Sequence, residues 1–176
     1  MIDFSRNHFE LFGLPERYRF DPALLERAYH ALQTEVHPDR HAAAGESDQR
    51  LALQSSARVN EAYRALKDPV TRAQYLLSLH GIEAFSERDT ALPVDFLERQ
   101  LERREAAQNA AAAADGDALA AIQGAVRGEA AELEQRVCVL LDVEGAWDRA
   151  RAQVRELRFL RKLADDVSAM LAELDD

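Results

Sequence analysis

Residues 21–40 read DPALLERAYHALQTEVHPDR, and this stretch decides how the first half of the chain folds. Asp21-Pro22 predicts a helix start, because aspartate accepts hydrogen bonds from the first helical amides and proline suits the first turn. Apolar residues then recur at helical spacing as far as Val36. Proline disfavours helical geometry in the residue before it, so the helix should end at His37. The stretch therefore predicts an amphipathic helix followed by an exposed turn, which contains His37-Pro38-Asp39.

The segments around this helix are also predicted to be helical. A short element from His8 to Leu14 precedes it, and a long helix from about Ser47 to Lys67 follows it. Asp68-Pro69 should stop the long helix, and a short helix, Thr71 to Leu79, should end at Gly81. Leucine and alanine dominate these segments, and the alternation typical of strands is absent. We therefore expect an all-α fold.

The second half has a different pattern. Residues 82–92 hold no sustained apolar stripe, so they are the predicted linker between a first domain, 1–81, and a second, 93–176. A helix is predicted from Pro93 to Ala113, with a break at Asp115-Gly116-Asp117. Two further helices carry apolar residues in steps of three and four, a spacing typical of antiparallel helices with knobs-into-holes packing. The second domain should be a three-helix bundle or an antiparallel coiled coil.

Composition excludes several classes of protein. The net charge of −10 is uneven: residues 1–80 carry ten Lys/Arg against eleven Asp/Glu, and residues 81–176 carry twelve against twenty-one. Neither half is basic enough for a nucleic-acid binder. The lone Cys138 excludes an internal disulfide and should be buried as a small apolar residue. No basic leader or long apolar run is present, so we expect a cytoplasmic, bacterial protein with no membrane contact.

With its flanks, the His37-Pro38-Asp39 turn resembles that of a J-domain, the module that docks on DnaK-type (heat-shock-70) chaperones. The resemblance covers about residues 8–80 and includes NEAYRAL at 60–66 and DPVTRAQY at 68–75. Four further segments are similar to the HscB family, the J-protein co-chaperones of bacterial iron–sulfur cluster assembly. These segments are HFELFGLP at 8–15, YLLSLHG at 75–81, FLERQLE at 96–102 and LRFLRKL at 157–163. The resemblance spans almost the whole chain.

The J-domain resemblance implies a chaperone-binding site at the end of the first long helix. In the family, the aspartate of the tripeptide pairs with an arginine of the ATPase chaperone, and the loop biases that chaperone towards ATP hydrolysis. The implied chaperone-binding residues are His37, Pro38, Asp39, Arg27 and Arg40. The basic helix face usual in the family is reduced here, since Glu26 and Glu35 oppose Arg27, and Val36 replaces a common aromatic residue. Docking by electrostatic steering should be weak or tuned to one partner. A solvated surface role for Arg27 is an equal alternative.

The HscB resemblance implies a second binding site on the bundle. The family binds its cluster scaffold protein, IscU, through apolar and acidic residues that match Leu97, Leu101, Glu102, Glu105 and Phe159. Glu98 stands where the family pattern has an apolar residue, and Asn109 stands where the pattern has a third acidic residue. An alternative for Phe159 is packing against the third helix, and an alternative for the acidic residues is an ordinary solvated helix face.

The resulting interpretation is a non-enzymatic co-chaperone. It should couple an HscA-type ATPase chaperone to an IscU-type scaffold, with no cofactor, no metal and no small-molecule substrate. One alternative is a general J-protein with another client, and a second is a helical oligomerisation protein. The third alternative is a metal-dependent hydrolase that uses His37 and Asp39, with His41 as a further metal ligand. It is the weakest alternative, because no further ligand is evident near these residues.

Overall fold

The computed structural model describes residues 2–37, 45–85 and 92–175. Within these ranges the chain forms α-helices and no β-strand, which confirms the all-α prediction. The chain divides into two compact units, residues 1–79 and 80–176. The described part of the predicted linker, residues 82–85, belongs to the second unit. None of the described helices is both long enough and apolar enough to cross a membrane.

The described part of the first unit contains four helices whose ends follow local capping. They are α1 (His8–Leu11), α2 (Pro22–Val36), α3 (Glu46–Lys67) and α4 (Pro69–Leu79). The side chain of Asp21 accepts a hydrogen bond from the Ala23 amide at 2.9 Å, so α2 begins as predicted. Asp68 does the same for the Val70 and Thr71 amides. Because of this cap, α4 begins at Pro69 and not at Thr71, the predicted start.

The described core of the first unit is mainly apolar and includes three buried polar residues, His8, Ser55 and Arg72. Phe9 and Leu77 are fully buried among residues of α1, α3 and α4. Arg72 is also buried, and its guanidinium carbon lies 4.9 Å from the ring centroid of Tyr18 and 4.8 Å from that of Phe20. It donates a hydrogen bond to the Leu66 carbonyl at 3.2 Å. Arg72 thus connects the start of α4 to the end of α3 and to the segment before α2.

Three long helices form the part of the second unit that the structure describes. They are α5 (Val94–Ala112), α6 (Gly116–Val139) and α7 (Trp147–Asp175), and a π-helical turn (Leu140–Glu144) extends α6. The predicted break at residues 115–117 is too long, since α6 already begins at Gly116. Asp115 accepts a hydrogen bond from the Ala118 amide at 2.9 Å, and Ala114 takes a positive φ of 52°. Together these two residues allow a short connection between α5 and α6.

The apolar seams predicted for α6 and α7 form the core of this bundle. Fully buried residues come from both helices: Leu119, Val126, Leu133, Val137, Ala150, Val154, Leu157, Leu160 and Val167. Helix α5 packs against both helices, so the unit is a three-helix bundle. Its buried residues are Phe96, Gln100, Ala107 and Ala110, of which only Phe96 is large and apolar. Cys138 is buried, as expected, and its thiol lies 3.7 Å from Asp142 Oδ2.

Candidate functional site

The C-terminal end of α2 places His37 at the surface. Helix α2 ends at Val36, and His37 caps it with an extended backbone at φ −60° and ψ 128°. Val36 is 4% exposed, so it anchors this helix end in the core, whereas His37 is exposed. The predicted helix end is therefore confirmed. The residue that replaces the family's aromatic has a structural role here.

Polar and aromatic contacts fix α2 against α3. The rings of Tyr29 and Tyr63 stack with centroids 3.9 Å apart, and the Tyr29 hydroxyl donates to Asn60 Oδ1 at 2.9 Å. The Tyr63 hydroxyl donates to Glu26 Oε1 at 2.6 Å and accepts from Lys67 Nζ at 2.8 Å. The hydrogen bond from Tyr63 holds the pKa of Glu26 below its ordinary value. These contacts hold the α2 helix, and with it His37, in one orientation.

Glu26 consequently does not oppose Arg27 in the way the sequence suggested. Its carboxylate faces α3, where Lys67 Nζ lies 3.5 Å from Glu26 Oε1. Arg27 is exposed on α2, as predicted for a chaperone-binding residue and equally for a solvated one. The remaining predicted residues of this site, Pro38, Asp39 and Arg40, lie outside the described residues. Asp39 and His41 of the metal alternative lie outside them as well.

The predicted scaffold-binding residues of α5 share one exposed surface. Leu97 and Leu101 are one turn apart and remain 41% and 59% exposed. Glu102 and Glu105 are exposed beside them, as are Glu98 and Asn109, the two departures from the family pattern. Two exposed leucines on one helix face form an apolar row that a partner can bury.

The ion pairs of α5 leave this surface acidic. Arg99 pairs with Asp95 at 3.1 Å, Arg104 pairs with Asp166 of α7 at 3.2 Å, and Arg103 pairs with Glu129 of α6. Within the described ranges, the carboxylates of Glu98, Glu102 and Glu105 form no ion pair. The arginines of α5 are therefore neutralised within the bundle, and three carboxylates stay available to a basic partner.

Phe159 lies on the same side of the bundle as the two leucines. Its ring meets Phe96, the neighbour of Leu97, with ring centroids 5.7 Å apart. Further along both helices, eight residues after Phe96 and seven residues after Phe159, Arg104 meets Asp166. Helices α5 and α7 therefore run parallel here. The row Leu97–Leu101–Arg104 on α5 lies alongside the row on α7 that begins at Phe159. The structure brings Leu97, Leu101 and Phe159 to one flank, which spacing alone did not predict.

Two features of this region were missed from the sequence. Val94 is 70% exposed and lies three residues before Leu97, so the apolar row is longer than predicted, and its helical spacing was the available signal. The described end of the predicted linker also packs on α7. Arg155 Nε donates to the Ala84 carbonyl at 2.8 Å, and the Arg158 guanidinium carbon lies 4.4 Å from the centroid of the Phe85 ring. No sequence pattern indicated these long-range contacts.

Comparison with known proteins accounts for both units. Residues 7–75 match the DnaJ domain, and residues 92–168 match the HSCB C-terminal oligomerisation domain. A co-chaperone protein HscB homolog of Burkholderia multivorans is 45% identical over 175 residues, which is 99% of either chain. The chain belongs to the HscB family of co-chaperones. A homolog of the same name from Ralstonia nicotianae is 43% identical over 98% of each chain.

Solved HscB structures show the same fold. The chaperone HscB from Vibrio cholerae is 38% identical, with a TM-score of 0.87 over 96% of this chain and 99% of that one. The human co-chaperone HscB is 26% identical, with a TM-score of 0.88 over 96% and 83%. The matched relatives are named as co-chaperones. The J-domain and C-terminal domain give this chain the role of an Hsp70 co-chaperone in iron–sulfur cluster assembly.

Proposed function

We propose that this HscB-family chain stimulates ATP hydrolysis by an HscA-type chaperone through His37, Pro38 and Asp39. The observation that carries the proposal is a J-domain match whose helix α2 ends at an exposed His37, held there by the buried Val36. A carboxylate such as that of Asp39 forms a directional, charge-assisted pair with an arginine. A helix end that is held in place loses less entropy on docking than a mobile one. Arg27 and Arg40 are the proposed accessory contacts.

The test is single-turnover ATP hydrolysis by an HscA-type chaperone with wild-type chain or with the His37→Gln variant. We expect the wild type to accelerate hydrolysis and His37→Gln to lose that acceleration while it retains its helical circular dichroism. Arg27→Gln serves as the second variant. If Arg27 contacts the chaperone, the Arg27→Gln variant should need a higher concentration for half-maximal stimulation. If Arg27 is only solvated, the variant should behave like the wild type. No acceleration by the wild type would contradict the proposal.

The second unit is proposed to hold an IscU-type scaffold, so that one chain brings the scaffold to the ATPase chaperone. This part is supported by the flank with Leu97, Leu101 and Phe159, bordered by the carboxylates of Glu102 and Glu105. An apolar centre with a charged rim is typical of transient protein interfaces. A scaffold surface with an apolar centre and basic rim would complement it.

Calorimetric titration with purified scaffold tests this site. Leu101→Ser should raise the Kd about tenfold or more, because an apolar anchor contributes a large share of such a small interface. Val143→Ser is the matched control, since Val143 is 78% exposed in the same unit but lies on the π-helical turn. A wild-type chain that does not bind the scaffold would instead support a general J-protein with another client.

The proposed setting is the reducing cytoplasm of a bacterium, which suits a buried cysteine outside any disulfide, Cys138. The oligomeric alternative makes a separate prediction for the same preparation. Sedimentation should show a monomer, and this monomer should stimulate the chaperone with a saturable dependence on its concentration. A stable dimer that does not respond to the chaperone would favour the helical oligomerisation protein.

A further inference from the structure

Leu53 of α3 is a large apolar side chain without a role in the core. It is 58% exposed, although it lies well inside the 22-residue helix α3. The buried residues of α3, which include Ala52, Val59 and Leu66, form a different stripe. Isolated exposed leucines are common, so the exposure alone decides nothing. Its position relative to His37 makes it informative.

The contacts between α2 and α3 define the position of Leu53. Later residues of α2 meet earlier residues of α3, since Glu26 meets Tyr63 and Tyr29 meets Asn60, so the two helices are antiparallel. Both helices advance 1.5 Å per residue. His37 lies eight residues after Tyr29, at the end of α2. Leu53 lies seven residues before Asn60, towards the start of α3.

The same spacing places both residues on the contacting edges of their helices. On α2, steps of three and four residues connect Glu26, Tyr29, Gln33 and His37, and the first three share the hydrogen bonds to α3 or to each other. On α3, such steps lead from Tyr63 through Asn60 and Ser56 to Leu53. Leu53 and His37 therefore occupy the same end of the α2–α3 seam.

The exposed surface of α2 offers little charge to attract a partner. Arg27 and Glu35 are both exposed and carry opposite charges. Leu24, one turn before Arg27, is 42% exposed. Long-range attraction scales with the net charge of a surface, so this surface gains little from electrostatic steering. A partner that docks at His37 must gain its affinity from short-range contacts.

We propose that Leu53 is an apolar contact for the ATPase chaperone, at the same end of the α2–α3 seam as His37. This inference rests on the proposed chaperone interaction and names a contact outside the tripeptide and α2. The partner surface is an apolar depression on the chaperone, next to the site that receives the tripeptide. Burial of the exposed part of Leu53 contributes to affinity in proportion to the apolar area removed from water.

The test measures single-turnover ATP hydrolysis of the chaperone against the concentration of the full chain. Leu53→Gln keeps helix propensity and side-chain length but removes the apolar contact. We expect about a fivefold rise in the concentration for half-maximal stimulation, with an unchanged maximal rate. Leu174→Gln is the control, because Leu174 is another exposed leucine near the end of α7. It should leave the curve unchanged.

The outcomes separate this inference from the proposed function. If the wild type stimulates, His37→Gln does not, and Leu53→Gln behaves like the Leu174→Gln control, then Leu53 is not a contact and only the inference fails. If the wild type gives no stimulation, the proposed function itself fails.

Discussion

Phe159 of α7 meets Phe96 of α5 edge-on, with ring centroids 5.7 Å apart and ring planes at 79°. Phe96 is 2% exposed and is the one large apolar residue that α5 buries, whereas Phe159 is half-buried. The packing alternative for Phe159 is therefore confirmed. Its role in scaffold binding stays a prediction, and the two roles are compatible because part of the ring remains at the surface.

Replacement of Phe159 by alanine should affect both stability and binding. Loss of the edge-to-face contact and of the buried part of the ring should lower the free energy of unfolding by about 2 kcal/mol. Urea unfolding, followed by circular dichroism, measures this change. Phe159→Leu is the control that keeps apolar volume, and it should lose less than about 1.5 kcal/mol. An alanine variant with wild-type stability would contradict the packing described for α5.

Glu98 provides a prediction in which binding improves. Its exposed carboxylate lies next to Leu97 on α5, at the position where the family resemblance predicts an apolar residue, commonly methionine. Glu98→Met should extend the apolar row and lower the Kd for the scaffold about threefold or more. Calorimetric titration measures the change. Glu132→Met, at an exposed position of α6, is the matched control. Equal tightening by both variants would indicate nonspecific adhesion and contradict the site.

His8 should make the first unit sensitive to mild acid. It is 5% exposed, stacks on Tyr75 with centroids 4.0 Å apart, and has a buried Nδ1 without a hydrogen-bond partner in the structure. Burial lowers the pKa of His8 from its ordinary value of 6.5. The unfolded chain therefore binds this proton at a higher pH than the folded chain. Stability should fall as the pH drops below about 6.5, until the folded pKa is reached.

The variant His8→Phe keeps the stacked ring and removes the titration. Its free energy of unfolding, measured in urea between pH 7.5 and 5, should depend on pH less steeply than that of the wild type. The backbone hydrogen bond from the residue 8 amide to the Tyr75 hydroxyl, 3.0 Å long, is retained in this variant. An unchanged pH slope would mean that His8 is protonated as easily in the folded chain as in the unfolded one.

Glu26 contributes to the pH dependence of stability in a more acidic range than His8. The hydrogen bond from the Tyr63 hydroxyl lowers the pKa of this carboxyl from its ordinary value of 4.5. The contribution to stability is therefore complete above that value, and it is lost as the pH falls below it through the folded pKa. Tyr63→Phe keeps the ring stack on Tyr29 but removes the donor. Below pH 4.5, the free energy of unfolding of Tyr63→Phe should fall less steeply with decreasing pH than that of the control variant, Tyr18→Phe. A parallel loss in wild type and Tyr63→Phe would contradict the assigned cause.

Local sequence signals predicted the helices and most of the core. Asp21-Pro22 and His37-Pro38 gave both ends of α2, because caps and prolines act on their immediate neighbours. The apolar spacing of α6 and α7 identified their buried seams, since each seam repeats every three or four residues. The candidate residues of α5 came from the family resemblance, and the structure adds the flank that they share with Phe159.

Features that depend on long-range contacts could not be predicted. The α2–α3 network, with Glu26 facing Tyr63, joins residues 37 positions apart. Arg155 reaches the Ala84 carbonyl across 71 positions, so part of the predicted linker lies on the bundle. The π-helical turn at Leu140–Glu144 continues the apolar pattern of α6 and so has no signature of its own. In each case tertiary packing, and not local propensity, decides the outcome.

The most direct test of the central claim is single-turnover ATP hydrolysis by an HscA-type chaperone, with wild type, His37→Gln and Leu101→Ser, each with and without scaffold. We predict that the wild type accelerates hydrolysis and that scaffold increases this effect. Leu101→Ser should retain the scaffold-independent acceleration and lose the scaffold-dependent increase, while His37→Gln should lose both. Equal rates for wild type and His37→Gln under both conditions would contradict the account.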